Sequence, residues 1–146
     1  MVVADTSSVN YAILIGEIGI FQQLYGTVAI PGAVLAELNH PKTPETVKTW
    51  IAKIPQWLEV HSVPLSLDAT LAHLRDGERE AIVLAESLGA TLIMDERDGR
   101  VEDARRGLAL TGLIGTLLDA GERDLSICHK RSRDCKGQHF IFRQHL

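Results

Sequence analysis

The chain has 146 residues, enough for one domain with a full hydrophobic core and too few for two ordinary ones. Its 45% hydrophobic and 23% charged residues suit a soluble globular protein, and no run approaches the ~18 uninterrupted apolar residues of a membrane span. The net charge of −4 excludes a global attraction for nucleic acid, yet 12 of the 15 Lys and Arg lie from Arg75 onward, so local basic strips matter more than the total.

The start lacks a basic segment and reaches an acid at Asp5, which argues against a secretory signal and makes the cytoplasm the expected compartment. Two cysteines, Cys128 and Cys135, do not make a disulfide framework and are expected to be reduced.

Val2-Val3-Ala4 is a short apolar run that ends in Asp5-Thr6-Ser7-Ser8. Apolar residues without alternation suit a strand covered on both faces, as in a parallel sheet. Ser7 to Gly16 reads as a helix, and Glu17 to Tyr25 as a second, with Ile18, Phe21 and Leu24 as its stripe and Gly26 closing it. Thr27 to Ile30 is a second buried strand. Pro31 to Asn39 reads as a helix with proline in its first turn, carrying Val34, Leu35 and Leu38 inward and Glu37 with them.

Glu45 to Ile54 has helical spacing, and Trp57 to Val63 alternates like a strand. Leu67 to Leu74 is expected as a short helix and Arg75-Asp76-Gly77 as a turn. Glu78 to Leu88 is the clearest amphipathic helix, and Gly89 is placed as its left-handed stop. Thr91 to Met94 is another buried strand. It ends in Asp95-Glu96-Arg97-Asp98, repeating the pattern of an apolar run stopped by acid. A helix from Arg100 to Gly107, a strand from Leu108 to Thr111 and a helix from Gly112 to Ala120 complete the pattern. Strands alternating with helices predict a three-layer α/β/α sandwich around a mainly parallel central sheet.

In such a sheet Asp5 and Asp95 end strands at one edge, and Glu78 opens the helix that leads into the second of them. Taken alone, Asp5 serves equally well as a helix cap, and Glu37 as a solvent-facing residue. Three acids meeting in one crevice repel unless a positive charge sits among them. Carboxylates without Cys or His suit a hard ion, Mg²⁺ or Mn²⁺, and such ions act on phosphates by activating water and stabilising the leaving oxygen. Arg79, Arg97 and Arg100 flank the acids and are candidates for RNA phosphate contacts, with ordinary surface ion pairing as their other reading.

Val3-Ala4-Asp5-Thr6-Ser7, Ile30-Pro31 with Val34 to Leu38, Gly77-Glu78-Arg79-Glu80-Ala81-Ile82, Leu92 to Arg100 and Thr111-Gly112 form an ordered set over about residues 1 to 121. In these motifs the chain resembles the PIN-like proteins of the DUF3368 subfamily. The resemblance implies a metal-dependent ribonuclease scaffold, often the toxin of a toxin–antitoxin pair, with RNA as substrate, a small antitoxin as partner and a homodimeric state. It makes Asp5 the first metal-binding acid, Glu37 the second and Glu78 the third, with Glu80 the nearest competitor. The fourth position falls at Asp95 or Glu96, with Asp98 a further candidate. Thr6 and Ser7 would orient Asp5 or a water on the metal. A PIN-like domain over residues 1 to 122 and a basic tail over 123 to 146 follow as the expected division.

From Arg123 on, six basic residues stand against two acidic ones, and the apolar period is lost. The tail reads as a strip for an RNA backbone, as a disordered end, or as the product of a reading-frame shift, which across Ser126 to Lys130 yields the more family-like Pro-Ser-Ala-Ile-Lys. Cys128, His129, Cys135 and His139 match no common zinc spacing.

Two other functions were weighed against nuclease action. A binding or regulatory module that keeps the fold without cleavage is favoured by the longer Glu at position 78 where the wider superfamily has Asp. An aspartyl-phosphate enzyme is disfavoured, because the second acid it needs two residues after Asp5 is Ser7.

Overall fold

The first strand, β1 (Val2–Ala4), sends its side chains alternately to two cores. In the computed structural model, which describes residues 1–65, 68–95 and 105–123, Val2 and Ala4 belong to one apolar cluster and Val3 to the other. That two-sided burial explains the absence of polar alternation in the sequence, because a polar residue at any of these positions would lose water without gaining a partner.

Beside β1 lie β2 (Val28–Pro31) and β4 (Thr91–Ile93), with β3 (Leu58–His61) outside β2 and β5 (Leu110–Thr111) outside β4. All pairings are parallel, in the order β3-β2-β1-β4-β5, and Val3 stands opposite Ala29 on one side and Leu92 on the other. The expected three-layer α/β fold is present. One face is covered by α1 (Thr6–Leu14), α2 (Gly19–Tyr25), α3 (Gly32–Leu38), α4 (Glu45–Ile51) and α6 (Leu113–Glu122); the other carries α5 (Asp76–Leu88) and a short 3-10 turn, Ala69–Leu71.

The chain moves outward from β1 through β2 to β3 and then crosses to β4 on the opposite side of β1. This reversal opens a crevice at the carboxyl ends of β1 and β4, the place where open α/β sheets receive ligands. The Asp5 amide donates to the Ile93 carbonyl at 3.1 Å, which fixes the residue after β1 against the end of β4.

Several boundaries differ from expectation. Pro31 is the last residue of β2 and α3 begins at Gly32; without an N–H, proline loses nothing at that junction. The expected turn at Arg75-Asp76-Gly77 is instead the entry to α5, which begins at Asp76, an acid suited to the positive end of a helix. The short helix expected over Leu67 to Leu74 is reduced to the 3-10 turn. The Arg106 guanidinium pairs with Asp68, Thr70 and, at 2.9 and 3.0 Å, both carboxylate oxygens of Glu86, so one cation ties that turn and α5 to the segment before β5. The start expected for the helix from Arg100 lies outside the described residues, as do Glu96, Arg97, Asp98, Cys128, His129, Cys135, His139 and the tail from residue 124. No helix among the described residues is long and apolar enough to cross a membrane.

Gly89 ends α5 with φ 58° and ψ 35°, the left-handed conformation expected of it. A Cβ there meets no neighbouring atom, so the cost of a side chain is the backbone conformation alone. Gly89→Ala is expected to lower unfolding stability by about 1 kcal/mol in urea titration, with an unchanged denaturant slope.

Candidate functional site

Asp5 is fully buried at the end of β1. Its two oxygens have different surroundings. Oδ1 accepts the Ser8 amide at 2.9 Å and so caps α1, whereas Oδ2 is buried with no hydrogen-bond partner. The capping reading of the sequence thus holds for Oδ1, and Oδ2 is left without a role in the cap. Burial pushes the Asp5 carboxyl up to about 6; its bonds to Ser8 partly offset the rise, and the charges of Asp95 and Glu78 add to it. Ser8, which the sequence reading did not select, also donates through its hydroxyl to the Ile93 carbonyl at 3.3 Å.

Glu37 approaches from α3 and is held at both oxygens. Oε1 accepts the Gly77 amide at 2.9 Å, and Oε2 accepts the Thr6 hydroxyl. Thr6, expected to orient Asp5 or a water on the metal, donates its hydroxyl to Glu37. Gly77 is needed at that place: an added Cβ would lie 2.5 Å from Glu37 Oε2 and 2.6 Å from Thr6 Oγ1. In sequence Gly77 carries only a turn signal, because the group it makes room for is 40 residues away.

Glu78 is buried in the first turn of α5. Its Oε2 accepts the Arg75 amide at 3.1 Å, and its Oε1 accepts the Arg75 guanidinium at 2.9 and 3.3 Å. The i,i+3 spacing of Arg75 and Glu78 was a readable signal for this pair. Asp95 lies past the end of β4, where its Oδ1 accepts the Leu113 amide at 3.0 Å and holds the start of α6. Glu80 accepts the Ala33 amide at 3.0 Å. Arg79 pairs with Asp76 one helical turn away and borders a shallow cavity of about 190 Å³ beside Val63, Leu65 and Glu80.

The fold therefore gathers Asp5, Glu78 and Asp95 closely enough for the last two to act on the first, and links Glu37 to Thr6 beside it. Among the described residues no three Asp, Glu, His or Cys side chains form a ready metal-holding group. The donor set still suits a hard divalent ion. Asp5 offers a buried oxygen without a partner, and the charges of Asp95 and Glu78 act on its carboxyl. A cation there would offset the burial, and the smaller repulsion, that raise the Asp5 carboxyl.

Compared with known proteins, residues 1–130 match the family model DUF3368, described as a PIN domain. The match takes in Arg123 to Lys130, the first residues of the expected tail. No curated protein matches the chain.

Asp5 couples stability to pH. The folded state retains its proton up to about pH 6, whereas the unfolded chain releases it near 3.8, so this contribution is complete below 3.8 and is lost as pH rises through 6. Between pH 4 and 7 the stability of the wild type relative to Asp5→Asn is expected to fall by about 2 to 3 kcal/mol in the metal-free protein. Denaturant titrations of both proteins across that range measure it, and a constant difference would contradict it. Gly77→Ala is expected to cost about 1 to 3 kcal/mol by the same method, through displacement of Glu37 and Thr6.

Proposed function

The chain belongs to the DUF3368 family of PIN domains, and from that membership and the surroundings of Asp5 we infer that it is a metal-dependent endoribonuclease. The observation that carries the reading is the partnerless buried Oδ2 of Asp5 at the switch point of a parallel sheet, on a carboxyl that the charges of Asp95 and Glu78 reach. Mg²⁺ or Mn²⁺, when bound, supplies a water activated for attack on the phosphodiester and charge to offset that of the leaving oxygen.

Asp5 would hold that ion, since its Oδ2 has no partner while Oδ1 accepts the Ser8 amide. Glu37, Glu78 and Asp95 complete the acidic set, and Glu96 and Asp98 follow Asp95 in sequence as alternatives for the fourth place. Thr6 holds Glu37 in its place. Arg79, with Arg97 and Arg100, supplies cationic groups for the flanking phosphates of RNA. Arg75 neutralises Glu78 through their ion pair, so Glu78 would have to give up that guanidinium to help hold a divalent ion.

A toxin role with a small antitoxin partner belongs to the same reading, as does self-association through an apolar helix face. Tyr11, Leu14 and Ile15 on and just after α1, and Ile114 on α6, are exposed apolar residues available for such contacts. A second reading, an inactive PIN-like RNA-binding or regulatory module, is favoured by one observation: the carboxylates of Glu37 and Glu78 are each engaged at both oxygens.

The two readings separate on RNA. The nuclease is expected to cleave fluorescent structured or unstructured RNA with Mn²⁺ or Mg²⁺ and to stop with chelator. Asp5→Asn, folded at least as stably at pH 7, is expected to lose about 10²-fold or more in rate. Equal cleavage by wild type and variant would rule out the assigned site, and RNA binding without cleavage would favour the second reading.

A further inference from the structure

Helices α3 and α5 cap one another. Glu37, on α3, accepts the Gly77 amide in the first turn of α5, and Glu80, on α5, accepts the Ala33 amide in the first turn of α3. Helix α3 lacks a cap of its own: its N-cap is Pro31, which makes no side-chain cap, and its first turn contains no acid. Ala33 and Glu37 are four residues apart, and Gly77 and Glu80 three apart, so both pairs lie on the faces where the helices meet.

The two bonds are therefore rungs of one connection. The Glu80 rung fixes the start of the seven-residue helix α3, and Glu37 sits one turn further along it. Gly77 leaves no spare room at the other rung, since even a methyl group would fall within 2.5 Å of the Glu37 carboxylate. A rotation or slide of α3 would thus be felt directly at Glu37, while Glu80 itself spends one oxygen on a backbone amide.

We propose that Glu80 is a positioning residue: by capping α3 through Ala33 it sets the Glu37 carboxylate at the acidic site, and it does not itself ligate metal. This role rests on the metal-dependent reading for its catalytic meaning. Its structural content, the coupling of Glu80 to Glu37, stands apart from that reading. The chemistry distinguishes Glu80 from a ligand, because an amide oxygen accepts a backbone N–H but is a poor substitute for a carboxylate on a hard divalent ion.

Glu80→Gln and Glu80→Ala in the full chain test it by calorimetric titration with MnCl₂ and by amide hydrogen exchange at Gly77. Glu80→Gln is expected to bind Mn²⁺ within about twofold of wild type, and Glu80→Ala to bind it about tenfold more weakly, with faster exchange at Gly77 in Glu80→Ala alone. Equal loss in both variants would make Glu80 a ligand and overturn the proposal, as would Glu80→Ala with wild-type Mn²⁺ affinity and Gly77 exchange. If the wild type takes up no Mn²⁺, the metal-dependent reading fails by itself, and Gly77 exchange alone decides the coupling. Should Glu80→Ala not fold, Glu80→Asp, one methylene too short for Ala33, takes its place in the comparison.

Discussion

A carboxylate buried with one oxygen satisfied and the other without a partner is the constraint on which the arrangement depends. Asp5 cannot leave this position, because its amide is bound to Ile93 and its Oδ1 to Ser8, which together join β1, β4 and the start of α1. Nor does it carry its charge cheaply at neutral pH, where burial and the neighbouring acids oppose ionisation. Such a group lowers stability when metal-free, and it persists in a fold where that cost is offset by the packed apolar cores on both sides of the sheet.

Around Asp5 the remaining acids perform structural tasks as well. Glu37 caps α5 at Gly77, Glu78 binds Arg75, and Asp95 holds the first amide of α6. Each of these bonds places a carboxylate near the crevice by attaching it to the end of an element, where backbone amides lack helical partners. Assembly of the site and capping of the helices are thus competing uses of the same oxygens, and exchange between them is the event through which metal binding would act on the fold.

Much of this was legible in the sequence. The runs Val2 to Ala4 and Thr91 to Ile93, each followed closely by an acid, marked buried parallel strands because neither shows polar alternation, and Gly89 marked the end of α5 through its left-handed backbone. The contacts that orient the acids were less legible. Glu80 finds its partner in a backbone amide 47 residues away and Glu37 in one 40 residues away, and a backbone amide has no residue type to betray it. The Asp76-Gly77 pair looked like a turn because glycine permits one, whereas Gly77 serves close approach within a helix. Thr6 and Ser8, two residues apart on α1, differ only in direction: the Thr6 hydroxyl serves the Glu37 carboxylate, whereas the Ser8 amide serves Asp5 and its hydroxyl the Ile93 carbonyl.

The central claim is that the partnerless oxygen of Asp5 receives a divalent cation. The most direct test is a crystal grown with MnCl₂ and measured for anomalous scattering at the manganese edge. The account predicts a manganese peak at about 2.0 to 2.3 Å from Asp5 Oδ2, with Oδ1 still on the Ser8 amide and the Glu78 carboxylate turned away from Arg75. Well-diffracting crystals with Asp5 ordered, no manganese at Oδ2 and Glu78 still paired to Arg75 at millimolar metal would contradict it.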